Sequence, residues 1–185
     1  MKIQINNLTK KYGDKVVFDS YTNTFEFDGI LLLKGVSGLG KTTLMRIIAG
    51  LEKADKGEIT KIAKSISFMF QEDRLIPFIS VLKNLTAVCN EGKALNYLKL
   101  MGLENEKDNF PLSLSGGMRR RVALARALCF ESELVILDEP FKGLDEELKS
   151  TICEIIKDES KNRDFIIISH DSQDAELLNA KIIEL

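Results

Sequence analysis

Residues 35–43 read Gly-Val-Ser-Gly-Leu-Gly-Lys-Thr-Thr and follow the apolar run Ile30-Leu31-Leu32-Leu33. They match G-x-x-x-x-G-K-[ST] in full. A loop that wraps a polyphosphate with consecutive backbone N–H groups needs glycine where a side chain would block the approach or where φ is positive, and Gly35, Gly38 and Gly40 stand at such places. Lys41 can set an ammonium between the β- and γ-phosphates, and Thr42 can offer its hydroxyl to Mg²⁺. The helix that begins there points a partially positive end at the anion. A glycine-rich turn before a helix is often only a turn. Here the context is the one the chemistry requires, because a strand precedes the loop and Leu44, Ile47, Ile48 and Leu51 follow at spacings of three and four, a helical stripe. The expected ligand is a nucleoside triphosphate with magnesium.

With 185 residues the chain makes one domain of ordinary size, with room for a small inserted lobe. Lys+Arg 26 against Asp+Glu 28 leaves a net charge of −2, so no overall basic field marks a nucleic-acid binder. Cys89, Cys129 and Cys153 are scattered, without C-x-x-C spacing, which reads as buried, reduced thiols rather than a disulfide framework or a zinc site. Residues 1–10 lack the layout of a secretion signal. No apolar run approaches the roughly 18 residues of a spanning helix. A soluble cytoplasmic protein is expected, meeting a membrane only through a partner.

From the start, Lys2–Leu8 alternate polar and apolar as a half-exposed strand does, and Val16–Phe18 and Thr24–Phe27 add to a small antiparallel sheet with turns at Gly13-Asp14 and Asp28-Gly29. Tyr12 reads two ways, as a packing aromatic or as a ring that stacks on a purine. After the loop helix, Gly50 and residues 53–57 break the pattern. Ser65–Phe70 then read as a strand that ends at Gln71, which suits a ligand because open parallel sheets bind outside those strand ends.

Residues from about 78 to 118 form an inserted helical lobe. Val81, Leu82, Leu85, Val88 and Cys89 make one stripe, Ala94, Leu95, Leu98 and Met101 a second, and Gly92 and Gly102 are expected to stop them. The lobe ends at Leu114-Ser115-Gly116-Gly117, where Ser115 is a good N-cap and the glycines leave a second helix start uncovered. Arg119–Arg121 in its first turn oppose the macrodipole, as a solvated basic turn or one offset by a nearby acid or phosphate. The wholly apolar Leu134–Leu137 reads as a parallel strand delivering Asp138-Glu139, whose charges beside a dry strand need a cation or partner. Asp145 caps a helix with the stripe Leu148, Ile152, Ile155 and Ile156. A further apolar strand, Phe165–Ile168, carries His170, either a structural histidine or a contact for phosphate or water, and Lys181–Leu185 close the sheet.

Taken together, these motifs resemble the ATP-binding subunit of an ABC transporter over nearly the whole chain. The family's Walker A falls on Gly35–Thr43, its Q-loop glutamine on Gln71, its signature on Leu114–Gly117, its Walker B on Leu134–Glu139, its D-loop aspartate on Asp145 and its switch histidine on His170. Tyr12 falls where the family has its adenine-stacking aromatic.

The resemblance implies a single α/β P-loop NTPase domain over 1–185: a mainly parallel central sheet, a small N-terminal antiparallel sheet and the short helical lobe. It implies a Mg²⁺-dependent ATPase that pairs head to tail with a second copy or a homologous subunit. Lys41 with Ser37, Gly38, Gly40 and Thr43 would hold phosphates, Thr42 and Gln71 would meet the metal, and Asp138 would support it. Glu139 would activate water and His170 would steady the γ-phosphate. Ser115, Gly116 and Gly117 would close over the partner's nucleotide, with Asp145 linking the two sites.

Permease subunits would be the membrane partners, with an extracytoplasmic binding protein engaged indirectly. The subunit would sit on the inner face of the membrane. Met118 stands where the family's signature usually ends in glutamine, the lobe is short, and no regulatory C-terminal domain is expected. The Gln71–Pro77 and Gly116–Arg119 segments look most like importers of nitrate, sulfonates, taurine or thiamine-precursor pyrimidines. A soluble ABC ATPase acting elsewhere, or a module that binds nucleotide without turnover, are the alternatives. Glu139 and His170 both being present argues against the second.

Overall fold

The computed structural model describes residues 1–61, 63–171 and 173–185. In chain order the elements are β1 (Lys2–Tyr12), β2 (Lys15–Glu26), β3 (Ile30–Lys34), α1 (Lys41–Ile48), β4 (Lys56–Lys61), β5 (Ile66–Met69), α2 (Val81–Thr86), α3 (Glu91–Leu100), α4 (Gly116–Cys129), β6 (Leu134–Asp138), α5 (Glu146–Glu159), β7 (Asp164–Ile168), α6 (Gln173–Leu178) and β8 (Lys181–Glu184). Five strands form a parallel sheet in the order β5-β6-β7-β3-β8. Three form an antiparallel sheet in the order β2-β1-β4.

Why the parallel strands are unbroken apolar runs is visible in where their side chains go. Leu32, Val135, Leu137, Phe165 and Ile167 face a core shared with α2, α3, α4 and α5. Leu31, Leu33, Leu134, Ile136, Ile166 and Ile168 face the opposite core, closed by α1 and the antiparallel sheet. A sheet covered on both sides leaves little place for polar residues, so charge is confined to the strand ends and the one buried hydroxyl in β5, that of Ser67, is spent on the Ala127 carbonyl at 2.7 Å. That is where Asp138, Glu139 and His170 stand.

The fold class read from the motifs is the one observed, with corrections in detail. The two N-terminal runs after Gly13 are a single strand, β2. Residues 53–57 do not simply break the pattern: β4 begins at Lys56 and covers the other edge of β1. Gly57 permits this, since it holds φ +82° and an added Cβ would sit 2.4 Å from the Asn7 carbonyl oxygen.

The helices differ from expectation as well. Leu51 lies beyond the end of α1 and is exposed, because the helix stops before Gly50, so it does not belong to the buried stripe. Gly92 does not stop a helix either. It occupies the first turn of α3, which Asn90 caps, whereas Gly102 at φ +63° does terminate the helix. Tyr97, not Leu95, takes the inward place on α3. Residues 173–178 form a helix that links β7 to β8, the crossover that parallel strands on one sheet require. Cys129 and Cys153 are buried and Cys89 is half-buried, and all three are free thiols.

Candidate functional site

α1 starts without a side-chain cap. Its N-cap residue is Gly40, at φ 92°, and a Cβ there would come within 2.4 Å of Val17 on β2. The loop can therefore lie against β2 only with glycine at this position. The Lys41 side chain folds back over the loop, donating from Nζ to the carbonyls of Gly35 at 2.6 Å and Val36 at 3.0 Å. The Thr42 hydroxyl donates to Asp138 Oδ2 at 2.7 Å and so ties the helix start to the end of β6.

Asp138 is buried, and burial pushes its carboxyl upward from the ordinary range while the Thr42 hydrogen bond and Arg120 pull it down. Glu139 has the left-handed backbone φ 55°, rare outside glycine, and its N–H donates to the Ile168 carbonyl at 3.0 Å. Strained non-glycine residues of this kind cluster where a side chain must be aimed. Here the aim is at His170, whose Nε2 lies 2.7 Å from Glu139 Oε1. Burial raises the Glu139 carboxyl, against the pull of His170 and with reinforcement from Asp138.

One cavity of about 310 Å³ is lined by Tyr12, Ser37, Gly38, Gly40, Lys41, Thr42, Thr43, Gln71, Asp138, Glu139 and His170. Eleven residues singled out in the sequence thus meet at the C-terminal ends of β3, β5, β6 and β7 and at the end of β1. Gly35 takes part through its carbonyl on Lys41. The Tyr12 ring is held at the rim, its hydroxyl donating to Glu52, with Lys10 Nζ 4.9 Å from the ring centroid. Lys15, Val17 and Ile168 complete the lining. They carry no motif; their only signal is a place beside the Gly13 turn or at a strand end.

Thr42, Asp138 and Gln71 offer a hydroxyl, a carboxylate and an amide oxygen, the hard oxygen donors that Mg²⁺ prefers. Among the described residues no group of three His, Cys, Asp or Glu forms a ready metal cage. The donor set fits an ion whose shell is completed by phosphate and water.

Of the two readings of the basic turn the structure favours the one with a nearby acid, and it gives Arg120 a role that the sequence did not reveal. Rather than a solvated turn, it is buried and donates to the carbonyls of Phe70 at 2.8 Å, Gln71 at 2.9 Å, Asp138, and Glu139 at 2.7 Å. A single guanidinium so links the backbone that carries Gln71 to the backbone that carries Glu139. Its fork of donors makes that possible. Asp73, 3.7 Å from both Arg119 and Arg120, is the acid that offsets their place near a helix N-terminus.

Ser115, Gly116, Gly117 and Asp145 form a separate group. Ser115 Oγ accepts from the Met118 N–H at 3.2 Å and caps α4, and Asp145 caps α5 through the Leu148 N–H at 2.9 Å. The two caps are neighbours, since a Cβ on Gly117 would stand 3.6 Å from the Gly143 carbonyl. None of the four lines the cavity that holds Lys41 and Glu139.

The ABC transporter family profile matches residues 18–142, more than half of the chain. The chain belongs to the ABC transporter family. As a member it is an ABC-type, ATP-binding ATPase. An aliphatic sulfonates import ATP-binding protein of Nocardia farcinica is 36% identical over 99% of this chain and 77% of its own length. A probable sulfate/thiosulfate import ATP-binding protein of Chlorella vulgaris is 33% identical over 100% of this chain and 87% of its own. Among solved structures, the dimeric bacterial ABC transporter cassette MJ0796 superposes with a TM-score of 0.88 at 26% identity, covering 99% of this chain and 94% of that one. A post-hydrolysis state of the same cassette, bound to ADP and Pi, matches equally well.

Proposed function

We propose that this ABC ATPase powers import of a small sulfur oxyanion, a sulfonate or sulfate. It works as one ATPase unit in a head-to-tail dimer, peripheral on the cytoplasmic face of the membrane and docked to permease subunits that an extracytoplasmic binding protein supplies. The sulfonate and sulfate importers among its relatives support the substrate class. Among the described residues no helix is long and apolar enough to cross a membrane, consistent with a separate permease. The carrying observation is the cavity in which the Thr42–Asp138 bond and the Glu139–His170 pair stand side by side with Lys41.

In this reading Lys41 exchanges its loop carbonyls for phosphate oxygens, and the amides of residues 38–43 hold the same group. Tyr12 stacks on the base. Thr42, Gln71 and Asp138 would hold Mg²⁺, which would supply positive charge against the triphosphate. Glu139 accepts a proton from the water whose oxygen bonds to the γ-phosphorus as the bond to the β-phosphate oxygen breaks. Its raised carboxyl makes it a stronger base for that step. His170 holds Glu139 in place and reaches the γ-phosphate. Ser115, Gly116 and Gly117 of the other copy close the pocket, and Asp145 connects the two sites.

Glu139→Gln should lower ATP turnover about 10²- to 10⁴-fold, the usual loss of a positioned base, while ATP binding persists and ATP-dependent dimers accumulate on gel filtration. Wild-type turnover in that variant would remove Glu139 from the chemistry. Copurification with an integral permease, and loss of sulfonate or sulfate uptake on deletion, test the transport assignment.

A further inference from the structure

One charged cluster near the cavity plays no part in the mechanism above. Lys149, in the first half of α5, is buried, and its Nζ lies 2.6 Å from Asp174 Oδ1 and 2.8 Å from Asp171 Oδ2. Asp174 is itself only 1% exposed. An ion pair this dry gains little over apolar side chains of the same volume, so stability alone is a weak reason for it. Its placement supplies a better one.

Asp174 holds the Ser169 side chain just before His170, and Asp171 holds the Gln173 amide just after it. The Ser169 hydroxyl donates to Asp174, the Asp171 N–H donates to Ser169 Oγ at 3.1 Å, and the Gln173 N–H donates to Asp171 Oδ1 at 2.9 Å. His170 is flanked by this network yet its own side chain is half exposed, and Glu139 is the charged group its imidazole meets. Among the described residues, Glu139 is the one side chain seen to meet the imidazole. Its direction is set by Glu139 and by the backbone, whose neighbours Ser169 and Gln173 are held by two carboxylates that converge on one ammonium. Those carboxylates raise the lysine's proton affinity although burial opposes them, so the ammonium keeps its charge at neutral pH.

We infer that Lys149 is a positioning residue for hydrolysis: through Asp171 and Asp174 it holds His170 at the distance that keeps Glu139 aimed into the cavity. α5 adds a consequence. Asp145, its N-cap, stands one helical turn before Lys149. A displacement of that helix start would thus be felt at His170 without crossing the nucleotide. The inference rests on the ATPase reading of the cavity.

The test is a double-mutant cycle between Lys149 and His170, read in kcat and KM for ATP, with nucleotide affinity and thermal unfolding measured alongside. Lys149→Met strands a buried carboxylate, so Lys149→Met/Asp174→Asn, which neutralises both partners, and the exposed Asp171→Asn are assayed with it.

Expected is a fall of about tenfold in kcat with KM nearly unchanged, the mark of an interaction needed in the transition state. Lys149→Arg should recover most of the rate. In a His170→Ala background the same substitutions should cost less than about twofold more, because residues that act through one another are not additive. A full additional loss in that background, or a rise in KM at constant kcat, overturns the positioning role while leaving the ATPase reading intact. A wild-type protein without Mg²⁺-dependent turnover would sink both.

Discussion

The starts of α1 and α4 are both glycine-rich helix N-termini, and they are built in opposite ways. At α1 the N-cap is Gly40, which has no side chain to spend on the first-turn amides, and Lys41, Thr42, Gln71, Asp138, Glu139 and His170 lie in the same cavity. At α4 the N-cap is Ser115, whose hydroxyl is engaged by Met118, and its close neighbour is another helix cap, the Gly143–Asp145 turn. One start is a finished half-site and the other is a surface without a ligand of its own. In the proposed function each chain lends the second start to another copy, as cyclic pairing of identical surfaces allows. The superposition on a dimeric cassette is in keeping with that arrangement.

Damage to the two starts in different copies tests whether they belong to one pocket or to two chains. Lys41→Ala removes the phosphate ammonium, and Ser115→Arg blocks the lent surface. Each alone should lower ATP turnover at least about 10²-fold, the scale of losing a preorganised charge-stabilising group. Mixed together, they should recover activity, because a dimer with one copy of each keeps one pocket that has both its own Lys41 and the partner's Ser115. If the mixture is as inactive as its parents while mixed dimers form, the two starts serve one pocket in one chain and neither is lent to a partner.

A second, smaller effect separates the two regions by pH. Burial raises Glu139 and the neighbouring His170 pulls it down. As a base Glu139 works only when ionised, so activity is lost as pH falls through its pKa, and a raised pKa places that loss above the ordinary carboxylate range. His170→Gln removes the opposing charge and should move the acid limb of kcat/KM further upward. Ser115→Ala, remote from the carboxylate in its own chain, should lower the plateau and leave the limb where it was. A limb that shifts equally in both variants would mean the two regions are coupled within a single copy.

How much of this was legible in the sequence depended on whether function left a residue type behind. That Lys41, Thr42, Asp138 and Glu139 meet in one cavity was readable because a G-x-x-x-x-G-K-[ST] loop and two acids after an apolar strand both fall at the C-terminal ends of parallel strands. The parallel strands were readable because burial on both faces demands unbroken apolar runs, as in Ile30–Leu33 and Leu134–Leu137. Arg120 was not, since its role depends on four backbone carbonyls from two distant strand ends, and a carbonyl is the same whatever residue bears it. Lys149 escaped for a related reason: its partners lie more than twenty residues away, across a helix and a strand. β4 was hidden by its own composition, because Lys56-Gly57-Glu58 look like a turn, and it is the approach to Asn7, which only glycine permits, that makes an edge strand there.

The smallest effect concerns Ser115, and it separates stability from turnover at a single atom. In one chain its oxygen caps α4, and Ser→Ala at an N-cap costs about 1 kcal/mol, which a denaturant midpoint resolves. Ser115→Asp keeps an acceptor oxygen and adds a negative charge that suits a helix N-terminus, so the isolated subunit should be as stable as wild type or slightly more so. If the same oxygen also faces the partner's terminal phosphate, the aspartate places like charge against like and turnover should fall well below that of Ser115→Ala. Stability and activity would then rank the two variants in opposite orders. A helix start that served only as a cap would rank them the same way, with the aspartate at least as active as the alanine.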